Sequence, residues 1–260
     1  YTYNTYFQRE FVDEKPNYLS ADQFRDLIAQ GLVSQDEDYG FSTDLYDELI
    51  NKENLSQYHN FAASGGGEKT NYRASLYYND AQGIAKENGR EQFGARLNVN
   101  QTGLQDRLHF QVNLASNFNK ANLLGGGGGD FEQAIQRNPT APLRNEDGTF
   151  FETQAYNNYN PLSRLAHRIS ERDQQTFSGD ARLDLSITDE LTLSGFGSYV
   201  RNTWNDRYYR SILDWDQREQ SSYQGMAYAS KANHLDWSKT FESTLNYDAD
   251  FGDHSFEAIV

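Results

Sequence analysis

From residue 56 onward the chain alternates apolar and polar positions with a period of two. Tyr72, Ala74, Leu76 and Tyr78 oppose Asn71, Arg73, Ser75 and Tyr77. Phe93, Ala95, Leu97 and Val99 oppose Gln92, Gly94, Arg96, Asn98 and Asn100. After a turn at 102–106, Leu108, Phe110, Val112 and Leu114 oppose Arg107, His109, Gln111 and Asn113. The pattern returns over 177–185 and, weakened by Phe196 and Val200 on the polar side, over 191–200. It recovers over 237–248, with Phe241, Leu245 and Tyr247 against Thr240, Glu242, Thr244 and Asn246. Side chains on a strand point alternately to the two faces, so these segments predict strands with one apolar and one polar face. Counting from Tyr1, about nine strands are expected.

Residues 8–55 break the pattern. Ser20 and Gln23 form a capping box ahead of Phe24, Leu27 and Ile28, and Gly31 supplies the stop, which predicts a short helix. Thr43-Asp44 caps a second short turn carrying Leu45, Tyr46, Leu49 and Ile50.

Connection lengths then sort the strands. Short links at 65–70, 102–106, 186–190 and 249–253 alternate with longer ones at 8–55, 80–90, 120–171 and 201–236. A meander with short turns at one end and long loops at the other is the plan of a transmembrane β-barrel. The polar face carries Arg96, Arg107, His109, Asp180, Arg182, Asp184 and Glu242, groups that need water. The apolar face must therefore meet lipid or a second sheet. The expected fold is all-β, an antiparallel up-and-down meander whose long loops carry short helices. Both ends fall within strand patterns, so residues 1–260 are expected to form one partial barrel domain of a larger chain.

Composition sharpens this. The chain has 260 residues, 18 Tyr, 16 Phe and no Cys, and its mean hydropathy is -0.87. The aromatic content argues against disorder, and the absence of Cys removes disulfides, thiolate catalysis and cysteine zinc sites. A net charge of -15 repels phosphate backbones, so nucleic acid is not an expected partner. No run of apolar residues is long enough for a transmembrane helix, which leaves a barrel open.

The most specific stretch is Asn60-Phe-Ala-Ala-Ser-Gly-Gly66 followed by Lys69-Thr-Asn-Tyr-Arg-Ala-Ser-Leu-Tyr-Tyr-Asn-Asp-Ala-Gln-Gly83. It resembles the hairpin "N-x-S-x-S-G-G … T-x-Y-x-x-S-x-x-Y-x-x-x-x-G" of the SusC/RagA family of TonB-dependent outer-membrane transporters, with Ala62 where Ser is usual. Gln136-Arg-Asn-Pro-Thr-Ala-Pro142, Asp147-Gly148, Asn160-Pro161, Leu245-Asn-Tyr247 and Phe251-Gly-Asp-His254 add to the likeness. The resemblance implies the early wall of an outer-membrane barrel of about 22 strands, with plug and final strands outside this stretch. It implies import of glycans or oligopeptides, a SusD-like lipoprotein lid, and TonB acting through an N-terminal region. No enzyme activity and no cofactor are expected.

Other chemical signals are weak. Gly125-Gly-Gly-Gly-Gly129 lacks the Lys-Ser/Thr of a phosphate loop, and Gly195-Phe-Gly197 sits inside a strand pattern. Asp36-Glu37-Asp38 misses calcium-loop spacing because Gly40 interrupts it. The five His show no metal-binding spacing. Asp180 and Asp184 on one strand face stand roughly 13 Å apart at ~3.3 Å per residue, too far for a glycosidase pair. The candidate substrate-binding residues are loop aromatics: Tyr156, Tyr159, Trp204, Tyr208, Tyr209 and Trp215, with Tyr223 nearby. Beside Asn157, Asn158, Asn160, Asn205 and Asp214 they suit sugar faces or peptide backbones; the alternative is an interfacial girdle or loop packing. Three functions remain open: nutrient import, an extracellular β-sandwich that binds carbohydrate or mediates adhesion, and a carbohydrate-active enzyme.

Overall fold

The computed structural model describes residues 1–124, 129–152, 159–219, 222 and 225–260. Among them are nine strands: β1 (Thr2–Gln8), β2 (Ser56–Gly66), β3 (Thr70–Gln82), β4 (Gly89–Gly103), β5 (Leu108–Asn122), β6 (Arg168–Ser186), β7 (Leu191–Arg210), β8 (Tyr228–Phe251) and β9 (His254–Ile259). They form one antiparallel sheet in sequence order, β1 through β9. Short helices occupy the long connections: α1 (Ala21–Ala29), α2 (Leu45–Leu49), α3 (Gly129–Gln136), α4 (Pro161–His167) and α5 (Trp215–Glu219). The expected meander and its loop helices are what the structure contains.

Cap residues place the first helices. Ser20 accepts the Gln23 amide at 3.2 Å while the Gln23 side chain accepts the Ser20 amide at 2.9 Å, closing the capping box of α1. Gly31 follows with φ +73°, a left-handed stop that favours glycine. Asp44 caps α2 by accepting the Asp47 amide at 2.9 Å.

Register divides the sheet into two faces along every strand. Leu97 pairs with Leu114 and Val99 with Val112 on the apolar face. Leu114 pairs in turn with Gly179, and Phe110 with Leu183. Among the described residues no second sheet covers this face, and Leu97, Leu114 and Leu183 each keep more than a third of their surface exposed. A sandwich would bury them.

The upper limit of the apolar face falls at Tyr78 on β3, Phe93 on β4, Phe118 on β5, Phe177 on β6 and Tyr199 on β7. The first three share one row, whereas Gln175 and Thr203 occupy that row on β6 and β7. The limit therefore slips by about one residue per strand, and ~3.3 Å along against ~4.8 Å across implies strands tilted by about 35° to it. On β5 the face runs from Leu108 to Phe118, which at that tilt spans ~27 Å, close to the ~25 Å apolar band of transmembrane barrels.

Two expected boundaries are corrected. The stretch 201–236 is not one long loop, because β7 runs on to Arg210 and β8 starts at Tyr228, leaving a connection of 211–227. Above the band β7 carries polar residues on both faces, Arg201, Thr203, Asn205 and Arg207 on one and Asn202 and Asp206 on the other, so alternation stops although pairing continues. Likewise 80–90 shrinks to a connection of 83–88.

Candidate functional site: loop cap and polar face

The wall holds almost no fully buried apolar side chain. The apolar cluster that is buried lies in the loops: Leu45, Leu49 and Ala134, packed by Tyr46, Phe131, Leu143 and Leu165. Connections at the same end of the sheet interlock over it. Phe41 N–H donates to Thr140 O at 3.1 Å and Thr43 N–H to Pro139 O at 2.9 Å, joining 9–55 to 123–167. Asn138 Nδ2 donates to Glu37 O at 2.7 Å, and Thr140, fully buried, donates to the same carbonyl. Lys86 N–H donates to Leu49 O at 2.9 Å, which ties in 83–88.

The fourth connection is fastened by charge. Arg168, at the start of β6, donates from Nε and Nη2 to Asp214 at 2.6 and 2.9 Å and from Nη2 to Asp216 at 2.8 Å. Arg164 and Arg210 also reach Asp216, at 3.3 and 3.2 Å. Asp214 is fully buried. Burial works against the charge of Arg168, yet the Asp214 bonds hold its pKa above the ordinary value. Burial pushes the Asp130 carboxyl up, with Arg164 opposing, and does the same to Glu152, which pairs with Arg218. It pushes Arg137 down to about 10. These side chains fix loops to wall; Arg168 and Asp214 stand 46 residues apart and Arg164 and Asp216 stand 52 apart, so those pairings left no local signal.

The polar face is an amide-rich lattice. Asn98 Nδ2 donates to Asn113 at 2.6 Å, and Asn113 Nδ2 to Asp180 at 2.8 Å. Gln174 Nε2 and Thr176 Oγ1 both donate to Asn202 Oδ1. Arg182 pairs with Asp184 at 2.9 Å, so the two carboxylates considered as a catalytic pair each belong to this lattice. Tyr77 on β3 lies across Gly94 on β4 and donates to Asn117 on β5 at 3.0 Å. Glycine is required there, because a Cβ would strike the Tyr77 ring.

The candidate aromatics disperse. Trp204 is on β7, in place of a loop, and stacks on His234 of β8 with ring centres 4.8 Å apart. Both belong to the polar face, beside Gln174 and the Arg172–Asp206 ion pair. Tyr208 and Tyr209 are also on β7, so they point to opposite faces. Tyr208 takes hydrogen bonds from Arg210, whereas Tyr209 is exposed on the other side. Tyr159 is buried under the Arg164 guanidinium, which stands 3.3 Å from its ring centre, so it packs the cap and is closed to a ligand. Trp215 opens α5. Tyr156, Asn157, Asn158 and Tyr223 lie outside the described residues. The stacked Trp204–His234 pair, flanked by amide and ion-pair donors, is the arrangement able to take a sugar ring or a planar peptide group.

Asp38 of the acidic cluster pairs with Arg25 at 3.0 Å and accepts the Gly40 amide at 2.9 Å. Among the described residues no group of three His, Asp or Glu is placed to hold a metal.

No family model matches the chain. It is 28% identical over 200 residues to TonB-dependent receptor P26 of Formosa agariphila, covering 74% of this chain and 19% of that protein. It is 27% identical over 156 residues to TonB-dependent receptor SusC of Bacteroides thetaiotaomicron, covering 60% of this chain and 16% of that protein. The chain thus spans less than a fifth of these curated relatives. Its fold matches a chain in the solved structure of the RagAB peptide transporter with a TM-score of 0.70 at 15% identity, over 99% of this chain and 33% of that one. A second RagAB structure, the importer in a closed-closed state, matches at 0.65 and 17% identity, over 85% of this chain and 25% of that one. In sequence the chain is thus similar to TonB-dependent receptors, SusC among them, and in fold to part of the RagAB structures, in agreement with the hairpin likeness at 60–83 and the two-faced meander.

Proposed function

We propose that residues 1–260 are a single partial barrel domain in the wall of an outer-membrane importer of about 22 strands, working with TonB and a SusD-like lipoprotein. The observation that carries this reading is the pair of faces on the same strands. An uncharged apolar band stands opposite an amide lattice able to line a wet passage. The apolar band meets outer-membrane lipid. The polar face lines the route of glycan or oligopeptide cargo, and Trp204 with His234 offers that cargo a flat surface. The interlocked connections form an external cap against which the lipoprotein closes. Plug and TonB contact belong to other parts of the protein. The role is passage, not chemistry. An extracellular binding module is the second reading, and the uncovered apolar band counts against it.

The test replaces 211–227 with a short Gly-Ser turn in the intact transporter and measures cargo uptake and lipoprotein retention together. Loss of either, in a barrel that still assembles, is the expected result. Unchanged uptake and retention would reduce the cap to packing.

A further inference from the structure

The polar face contains an uncharged stretch, in a chain whose net charge is -15. Two neighbouring rows of register cross it from β4 to β7. One is Gln92, Asn119, Gln174 and Trp204; the next toward the short turns is Gly94, Asn117, Thr176 and Asn202. Charge begins only at the rows beyond. On the loop side Arg172 is held by Asp206 through bonds of 2.6 and 2.7 Å. Arg90 opens that row on β4 and borders the recess of Lys86, Glu87 and Glu91, which shares its charge. On the turn side Arg96 is exposed, with only Ser75 and Ala115 across from it on the adjoining strands. Arg73 lies diagonal to it on β3, and Asp180, in the row of Arg73, accepts from Asn113. Among the described residues neither Arg96 nor Arg73 has a hydrogen bond or an ion pair.

Bonds inside the stretch leave one kind of group over. Gln92 Oε1 accepts from Asn79, Asn117 Oδ1 from Tyr77, Gln174 Oε1 from Asn119, and Asn202 Oδ1 from Gln174 and Thr176. Asn119 Oδ1 has no partner but is buried beneath its neighbours, closed to a ligand. The side-chain amide N–H groups of Gln92, Asn117 and Asn202 and the indole N–H of Trp204 have no partner among the described residues, and none of them is buried. The unspent groups are thus donors. Two ring surfaces mark the ends: Tyr77 lies across Gly94, and Trp204 stacks on His234. At ~4.8 Å per strand the distance from β4 to β7 is about 14 Å, room for about three sugar rings in line.

Resting on the importer reading above, we propose that these two rows are a binding track for a linear glycan that carries a uronic acid. Its carboxylate meets the Arg96 guanidinium, whose fork suits two oxygens at once. The ring bearing it lies over Tyr77, the far ring lies against Trp204, and hydroxyl oxygens between them accept from Gln92, Asn117 and Asn202. A peptide brings as many N–H groups as carbonyls, and its N–H groups would face donors here. Sugar hydroxyl oxygens accept while their hydrogens turn to other oxygens of the same glycan. Asp236, next to Asn202 on β8, repels a second anion, so the acidic ring belongs at the β4 end.

The intact transporter in detergent is titrated calorimetrically with three probes: a trisaccharide of two neutral hexoses and a terminal uronate, the same trisaccharide with its carboxylate reduced to the alcohol, and an acidic tripeptide. Wild type is expected to bind the uronate about tenfold more tightly than the reduced sugar, and the tripeptide more weakly than either. Arg96→Gln is expected to erase that difference between the sugars, and Trp204→Ala to weaken both about tenfold. Equal affinity of wild type for the two sugars, no binding of either, tighter binding of the tripeptide, or a uronate preference that survives Arg96→Gln overturns the site. Should Trp204→Ala fail to assemble, Arg96→Gln alone decides. Uptake by cells carrying the wild-type transporter separates the two readings. A transporter that imports neither the sugars nor the peptide overturns the importer reading and the site with it; one that imports the tripeptide and not the sugars overturns the site only.

Discussion

Replacing Asp214 with Ala is expected to free the connection between β7 and β8 from the wall. Asp214 accepts two bonds from Arg168, at 2.6 and 2.9 Å, and both side chains are buried. Its Oδ1 also accepts the Asp216 amide at 3.1 Å, and its carbonyl accepts the Gln217 and Arg218 amides, so it opens α5 as well. Truncation leaves a buried guanidinium with Asp216, at 2.8 Å, as its remaining strong partner. Removing one partner of a buried ion pair costs about 3–5 kcal/mol, and the surviving Asp216 contact puts this case near the lower end, about 3 kcal/mol. At ~1.4 kcal/mol per tenfold, opening of α5 becomes about a hundredfold more frequent. Hydrogen exchange of amides 216–218 in the intact protein reads this directly. Arg207→Gln is the control, because Arg207 pairs with Glu171 and Asp173 at the surface and its loss should cost under ~1 kcal/mol. An Asp214→Ala rate within threefold of wild type, or equal to the control, would refute the assignment of this pair as the fastening.

Gly94→Val should expel Tyr77 from its place across β4 and break its bond to Asn117, at a cost of about 1–3 kcal/mol in urea unfolding of the intact barrel. Tyr77→Ala should relieve most of that cost in the double variant, and no relief would sink the steric account. Leu97→Arg should lower barrel assembly, since Arg at the middle of a lipid-facing band costs about 2–4 kcal/mol, whereas Arg96→Gln on the polar face should not; heat-dependent gel mobility compares them. Asp130→Asn should stabilise the protein at about pH 7 and not at about pH 4 or below. Burial raises the Asp130 carboxyl, so its folded form is favoured while protonated and loses that advantage as pH rises through its folded pKa. Thermal midpoints that shift equally at both pH values would contradict this.

Legibility in the sequence followed the physics of each region. Within the band alternate positions are apolar on one face and polar on the other, so alternation at 72–78, 92–100 and 108–114 marked strands and faces together. Above it, Arg201 to Arg210 pair with Tyr228 to Trp237 while polar residues of β7 fall on both faces, and a strand of that composition reads as a loop. Helix caps at Ser20 and Asp44 were legible because a cap is satisfied within three residues. The fastening of Arg168 by Asp214 was not, since only the folded wall brings residues 46 apart into contact. Trp204 was singled out by type but misplaced in context. Its partner His234 is 30 residues away and becomes a neighbour only through the register of β7 and β8.

The interlock of 9–55 with 123–167 carries a consequence for the order of folding. Tyr39 and Thr43 bond to residues about 100 positions later, and that closure waits until β2 to β5 have paired in sequence. Hairpin contacts such as Gly66 with Asn71 close small loops and can form early, whereas contacts of long separation form slowly. The cap is therefore a late event: the wall assembles strand by strand, and the ends of its tall hairpins stay open to solvent until β6 arrives. A kinetic pulse of hydrogen exchange should find amides 71–80 protected well before those of Phe41 and Thr43.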